Sequence, residues 1–280
     1  MLGFLLGLAA SASWGISDFI GGLQTRRFSA LSVLVVSQPI GLVLAYVVAL
    51  AFGEEMLSGS RFALGMFAGA TVVLALAAFY RAMALGSISV VATIGALGIV
   101  VPVIGGIVQG ETPNGLQAVG AAIAIPAIVL VAREPDAEWR EAGRESIGLA
   151  ALAALGFGTF FLALDGAADQ DPAWAIAAAR TGGVIVLAIG ALWLRPSIPR
   201  ARGRILVALL AIGFFDILAN SLYAVATNHG ILPLVAVAAS LYSAVTVLLA
   251  RFVLGERLAR SQQLGIVIAL AGVVLIAVGS

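Results

Sequence analysis

Ten long apolar runs follow one another along the 280-residue sequence, separated by short polar segments. A helix needs about 20 mostly apolar residues, each rising 1.5 Å, to cross the hydrocarbon of a bilayer. Hydrophobic residues make up 62% of the chain and charged residues 10%, whereas soluble domains are about half apolar and a quarter charged. We therefore predict an all-α integral membrane protein with ten transmembrane helices. The predicted spans are 2–20, 29–52, 62–84, 87–108, 115–132, 146–165, 172–194, 205–227, 231–251 and 261–279.

The two halves of the sequence resemble each other. GLAASASWGISDF at residues 7–19 aligns with GLAALAALGFGTF at residues 148–160. The third and eighth spans also match, with a nineteen-residue step from arginine to tyrosine in each, from Arg61 to Tyr80 and from Arg204 to Tyr223. A unit of five helices, an odd number, must enter the membrane from opposite sides in its two copies, so we predict an inverted repeat. The predicted units are residues 1–132 and 146–280, joined by a linker loop at residues 133–145.

Glycine-glutamate pairs stand before the last span of each half. The second half runs through LYAVATNHGILPLV at residues 222–235 to GERLARSQQLG at residues 255–265, and the first half carries GETPNGLQAVG at residues 110–120. Together with SWGISDFIGG at residues 13–22, these segments resemble EamA-type members of the drug/metabolite transporter superfamily. The resemblance covers essentially the whole chain. It implies a ten-helix carrier with a central cavity that exports amino acids or related metabolites.

Polar side chains inside the predicted spans mark the candidate site, because such groups are costly in hydrocarbon and must face protein or a wet cavity. Asp216, Asn220 and Tyr223 follow at steps of four and three on one face of the eighth helix. In the aligned halves Gln38 stands opposite Arg180. At 1.5 Å per residue, Arg180 lies about 22 Å from Arg195, which follows its span. Asp216 lies about 18 Å from Arg204, which precedes its span. Both therefore lie near the middle of the bilayer, where they can meet.

Two interpretations of Arg180 and Asp216 remain open. In the first, Arg180 binds a substrate carboxylate, while Asp216 binds an amine or takes up a proton, since burial disfavours a charged carboxylate. In the second, the two form a permanent ion pair that fastens the seventh helix to the eighth. Trp14 and Tyr223 either line the cavity or simply pack. The predicted substrate-binding residues are Trp14, Gln38, Arg180, Asp216, Asn220 and Tyr223, with Asp216 as the proton-coupling residue.

Asp18 has a simpler expectation. It lies only about 9 Å from Gln24 at helical rise, so we expect it to pair with Arg26 or Arg27. The glutamates of the two glycine-glutamate pairs, Glu111 and Glu256, are expected to cap helices and pack in loops.

The residue inventory argues against several classes of function. The chain has no cysteine and a single histidine, His229, so it lacks the ligands of the usual zinc sites and the nucleophile-base pairs of hydrolases. It has no GxxxxGK[ST] nucleotide-binding motif. All fifteen basic residues are arginines scattered among loops, without the basic face that nucleic acid requires. We expect no enzyme activity, no cofactor and no nucleic-acid partner.

The function predicted from these features is secondary active export of small metabolites such as amino acids, by alternating access around a midplane cavity. An efflux carrier for lipophilic cations and a non-transporting membrane scaffold or sensor are the alternatives. The expected partners are a small-molecule substrate and the lipid bilayer, with the chain a monomer or homodimer in the cell (inner) membrane. Arginines cluster in the loops after the first, fifth, seventh and ninth spans, which places both termini outside by the positive-inside rule. The family resemblance places both termini inside, so the orientation stays open.

Overall fold

The computed structural model describes residues 1–53, 55–86, 88–110, 112–131, 144–197, 202–254 and 260–278. Glu111, Glu256 and nearly all of the predicted linker at residues 133–145 lie outside the described residues. The described part of the chain is helical, with no strand. Its α-helices are α1 (Leu2–Thr25), α2 (Ala30–Phe52), α3 (Gly59–Leu85), α4 (Ile88–Ala96), α5 (Val100–Val108), α6 (Gly115–Val131), α7 (Arg144–Ala168), α8 (Pro172–Leu194), α9 (Arg204–Thr227), α10 (Leu232–Ser240), α11 (Tyr242–Leu254) and α12 (Arg260–Val278).

Seven of the described helices are long and apolar enough to cross a membrane. Six of them are α1, α2, α3, α7, α8 and α9, and the seventh is the stretch Leu232–Val253 that contains α10 and most of α11. A shorter apolar stretch covers Ile94–Val108. The outer surface of these helices carries large apolar side chains, among them Leu50 and Trp193 at 73% and 85% exposure. A surface of this kind suits contact with lipid rather than water, so the chain is a multi-pass membrane protein.

The chain marks several helix starts locally. The hydroxyl oxygen of Ser29 accepts a hydrogen bond from the backbone N–H of Ser32 at 3.1 Å and caps α2. The carboxylate of Asp171 caps α8 by accepting from the N–H of Trp174 at 2.9 Å, and Pro172 occupies the first turn. Such caps satisfy N–H groups that have no partner inside the helix.

Two predicted spans are interrupted. A 3₁₀ turn, Leu97–Ile99, separates α4 from α5, just before Pro102, whose ring nitrogen cannot donate the next helical hydrogen bond. Leu241 separates α10 from α11 without any proline, beside Ser240, whose hydroxyl donates back to the carbonyl of Val237 at 2.7 Å. Because Pro39, Pro102 and Pro126 lie within its predicted spans, the sequence of the first half predicts more kinks there than in the second half. The structure instead interrupts the fourth span and the ninth, one in each half.

Helices of the two halves interleave. The most extensive contacts join α3 to α7 and α8, α1 to α9, α2 to α8, and α6 to α12. Small residues permit the closest of these approaches: a Cβ at Gly69 of α3 would overlap the carbonyl of Ala179 on α8, and a Cβ at Gly182 would overlap the carbonyl of Met66. Because glycine has no side chain, helix backbones can approach closely at such crossings, as is common in membrane helices. The α3–α8 crossing brings α8 against the centre of the bundle, where the candidate site lies.

Candidate functional site

A buried ion pair forms the centre of the bundle. Nη1 of Arg180, on α8, donates to Oδ2 of Asp216, on α9, at 2.6 Å and to Oε1 of Gln38, on α2, at 2.5 Å. Asn220, one turn after Asp216, donates from Nδ2 to the backbone carbonyl of Asp216 at 2.8 Å and to its Oδ1 at 3.3 Å. The side chains of Arg180 and Asp216 are only 7% and 6% exposed. The predicted meeting of these two residues is therefore confirmed, and Gln38 joins them from the other half.

Several polar atoms at this centre have no hydrogen-bond partner. They are Nη2 of Arg180, Nε2 of Gln38 and Oδ1 of Asn220, all buried. The three residues line a small cavity of about 10 Å³, the ion-pair cavity, together with Val72 and Phe160. Buried polar groups in proteins are almost always satisfied, so unpaired donors facing a cavity indicate a place for a ligand or water. Two of the three atoms, Nη2 of the Arg180 guanidinium and Nε2 of the Gln38 amide, are hydrogen-bond donors. Unpaired donors, one of them charged, favour an anionic ligand group.

A cluster of aromatic rings lies beside the ion pair. The ring centroid of Trp14, on α1, is 5.7 Å from that of Tyr223 and 5.3 Å from that of Phe161. The centroids of the Phe161 and Tyr223 rings are 4.9 Å apart. We call these three residues the aromatic cluster. Trp14 and Tyr223 were predicted site residues, whereas Phe161, on α7, was missed because an apolar side chain in a membrane helix gives no signal. Ring-to-ring contacts at these distances stabilise the cluster and close the centre of the bundle.

Asp18 is not where the sequence predicted it. Arg26 and Arg27 are exposed beyond the end of α1, and no ion pair among the described residues joins either of them to Asp18. Asp18 is instead 5% exposed and lines a second small cavity, of about 20 Å³, which we call the aromatic cavity. Its walls also include Trp14, Phe161, Asp216 and Tyr242. The expectation was wrong because Asp18 lies on the buried face of α1, whereas the two arginines are exposed beyond the end of the helix.

The two cavities adjoin. Val72 and Phe160 line both of them, and Asp216, which bonds to Arg180 in the first, lines the second. Each volume is enough for about one water molecule, far below the size of a metabolite. The structure therefore presents a closed centre that must open to admit a ligand larger than water.

A larger polar cavity opens at one membrane face. This vestibule has a volume of about 790 Å³ and lies between the ends of α7 and α9 and the start of α3. In its wall Arg61 pairs with Asp169 at 2.9 Å and also donates to the carbonyl of Gly166. Thr227, another lining residue, lies one helical turn beyond Tyr223. Along α9, Tyr223 of the aromatic cluster thus lies between the vestibule and Asp216 of the ion pair.

All six predicted site residues are buried at this centre, from fully buried Tyr223 to Trp14 at 8% exposure. Polar groups of α2, α8 and α9 meet aromatic groups of α1, α7 and α9. The arrangement is a cleft between helices of both halves, with a fixed positive charge, two carboxylates and aromatic walls. It has the groups to bind a small charged molecule.

Comparisons with known proteins agree with the membrane fold. A crystal structure of another protein superposes with a TM-score of 0.78 at 14% sequence identity, covering 99% of this chain and 96% of that one. At that identity the likeness shows a common fold. No curated protein matches the sequence. Residues 145–278 match the model of the EamA-like transporter family. The second half of the chain is thus similar to the EamA-like transporter family, in agreement with the resemblance seen in its sequence.

Proposed function

We propose that the chain is a secondary active transporter that exports small metabolites such as amino acids, by alternating access around a midplane site. The observation that carries the proposal is the buried Arg180–Asp216 pair, with unpaired donors of Arg180 and Gln38 facing a small cavity. A transporter must bind its cargo away from both aqueous faces. The charged cavity lies between two sets of helices, where cargo could bind once the centre widens.

We further propose a ten-helix architecture of two inverted five-helix repeats, residues 1–132 and 146–280, with 133–145 as linker. Support comes from the packing of the described helices. In such a repeat, each predicted span corresponds to the span five places later or earlier. The contacts of α3 with α7 and α8 then correspond to the contacts of α9 with α1 and α2, and both sets are present. The interruptions before α5 and α11 fall in corresponding spans. Rocking of one repeat against the other would open the centre to each face in turn.

The proposed roles follow from charge. Arg180 keeps its proton in a protein and can bind a substrate carboxylate through Nη2, with Gln38 Nε2 as a second donor. Asp216 accepts a substrate amine or a proton when the pair with Arg180 opens. Asn220 positions Asp216 through its two hydrogen bonds, and Tyr223 separates the pair from the vestibule. Trp14 completes the aromatic cluster.

Reconstitution in liposomes tests the proposal. The purified chain is assayed for flux of amino acids, organic anions and lipophilic cations, with and without a pH gradient. We expect saturable flux of at least one amino acid, accumulating when a proton gradient is imposed. Asp216→Asn should abolish pH-driven accumulation and leave substrate exchange, because exchange needs no net proton movement. Accumulation by this variant at the wild-type level would remove Asp216 from coupling.

An efflux carrier for lipophilic cations is the second candidate, favoured by the aromatic cavity with its two carboxylates. Flux of cations without flux of amino acids would establish it. Absence of flux for every compound, in a chain that elutes as a folded species, would favour a scaffold or sensor. We also propose that the chain acts in the cell (inner) membrane as a monomer or homodimer, which mass photometry in native nanodiscs can determine.

A further inference from the structure

Asp18 is a buried carboxylate, and Arg180, the guanidinium at this centre, is already paired with Asp216. It is 5% exposed on α1 and lines the aromatic cavity beside Asp216. Among the described ion pairs, Asp216 is joined to Arg180, and none joins Asp18 to a cation. The buried centre therefore holds two carboxylates and one guanidinium, an excess of one acidic group.

An unpaired carboxylate is strongly disfavoured in a low-dielectric interior unless a cation or proton accompanies it. The groups near Asp18 do not provide one. The titratable side chains facing it are Asp216 on α9, Tyr80 on α3 and Tyr242 on α11, and each is acidic. The carboxyl group of Asp18 must therefore either hold a proton or meet a cation that enters the cavity.

A second observation points to a ligand in the same place. The hydroxyl of Tyr242 is buried, lines the aromatic cavity and has no hydrogen-bond partner. Its oxygen can accept a hydrogen bond, as can the oxygens of Asp18. The cavity also presents the rings of Trp14 and Phe161, whose faces attract cations. Oxygen acceptors with aromatic faces are the surroundings that an organic ammonium group prefers.

The adjoining ion-pair cavity has the opposite character, since Arg180 and Gln38 present unpaired donors there. We propose that Asp18 and Tyr242 form an ammonium-binding subsite next to a carboxylate-binding subsite at Arg180 and Gln38, so that the cargo is a zwitterion of the amino-acid class. This inference rests on the proposed transport function and assigns the amine to Asp18, because Asp216 is engaged by Arg180. Both subsites must widen together when the centre opens, as Val72 and Phe160 belong to both.

The test compares molecules that differ only in the ammonium group. Uptake of L-leucine and of its 2-oxo acid, 4-methyl-2-oxopentanoate, is measured in proteoliposomes, with L-phenylalanine and phenylpyruvate as a second pair. The wild-type chain should prefer the amino acids by roughly tenfold or more, because a site built to bind a polar group rejects an analogue that lacks it. Asp18→Asn should lower that preference to near unity, mainly through loss of amino-acid uptake.

Two further variants guard against misfolding. Asp18→Glu retains the carboxylate and should recover part of the preference, and Tyr242→Phe should lower it by several-fold while the chain remains folded by size-exclusion. An unchanged preference in both Asp18→Asn and Tyr242→Phe would overturn the subsite. Loss of pH dependence with the preference intact would assign Asp18 to a proton and equally overturn it. Absence of amino-acid uptake by the wild-type chain would instead refute the proposed cargo itself.

Discussion

Breaking the Arg180–Asp216 pair one charge at a time gives a prediction of definite sign. Asp216→Asn leaves the guanidinium of Arg180 in a site where its side chain is 7% exposed and only neutral oxygens remain to accept from it. Removing one partner of a buried pair costs about 3–5 kcal/mol, since the other charge stays buried without compensation. We therefore expect Asp216→Asn to lower the free energy of unfolding by about that amount.

The double variant Arg180→Met with Asp216→Asn removes both charges and keeps side chains of similar length. Replacing a whole buried pair is often close to neutral, so this variant should be more stable than Asp216→Asn alone, by about 2 kcal/mol or more. The assay is unfolding by sodium dodecyl sulfate in mixed micelles, followed by tryptophan fluorescence. The single variant Arg180→Met is measured alongside. If the losses of stability in the two single variants simply add in the double variant, the two groups do not stabilise each other as a charged pair.

A matched control comes from the vestibule. Arg61 and Asp169 form an ion pair at 2.9 Å, but their side chains are 36% and 71% exposed. Water screens such a pair, and its contribution is at most about 1 kcal/mol. Asp169→Asn should therefore change the free energy of unfolding by less than about 1 kcal/mol in the same assay.

Three smaller predictions concern the surrounding helices. Gly69→Ala should destabilise the bundle by about 1–3 kcal/mol, because the added Cβ would overlap α8. Gly59→Ala is the control, because the Cβ at this position meets open space. Equal thermal stability of the two variants would contradict the close crossing. Ser17→Ala should cost about 0.6 kcal/mol by removing the 3.0 Å hydrogen bond to the backbone of α9, whereas Ser13→Ala removes only a bond within α1; the two free energies of unfolding decide this. In a variant with Trp14 as its single tryptophan, a transported substrate should change the fluorescence, and an unchanged spectrum at saturation would place binding elsewhere.

The positions of the membrane helices followed from the sequence because bilayer thickness fixes the length of an apolar span. Predicted spans such as 172–194 coincide with a described helix, α8 (Pro172–Leu194). The first span was placed too short, ending at residue 20 rather than at Thr25, because Asp18 and Gln24 weaken the apolar pattern there. The interruption before α5 had a signal in Pro102, whereas the one at Leu241 had no proline and depends on hydrogen bonds that the sequence pattern does not reveal.

The site was partly predictable for the same physical reason. Counting residues from the membrane face gives depth, and depth was enough to bring Arg180 to Asp216. It did not give the direction in which a helix faces, so Asp18 was assigned to the arginines beyond its helix rather than to the centre. Phe161 was missed because apolar residues outside and inside a membrane bundle look alike in sequence. The roles of these residues in transport remain predictions.

The central claim is that one closed site at mid-membrane is reached from the two faces in turn. The chain has no cysteine, so a single Val72→Cys variant reports on the wall shared by both cavities. Membrane-impermeant thiol reagents are added separately to each face of oriented proteoliposomes. Leu74→Cys, 60% exposed on the outer surface of α3, is the control that should not react, because it faces lipid. We expect modification of Val72→Cys from both faces, slowed by substrate in each case, and no effect of substrate on Leu74→Cys. Modification from one face only, at a rate that substrate does not change, would contradict alternating access.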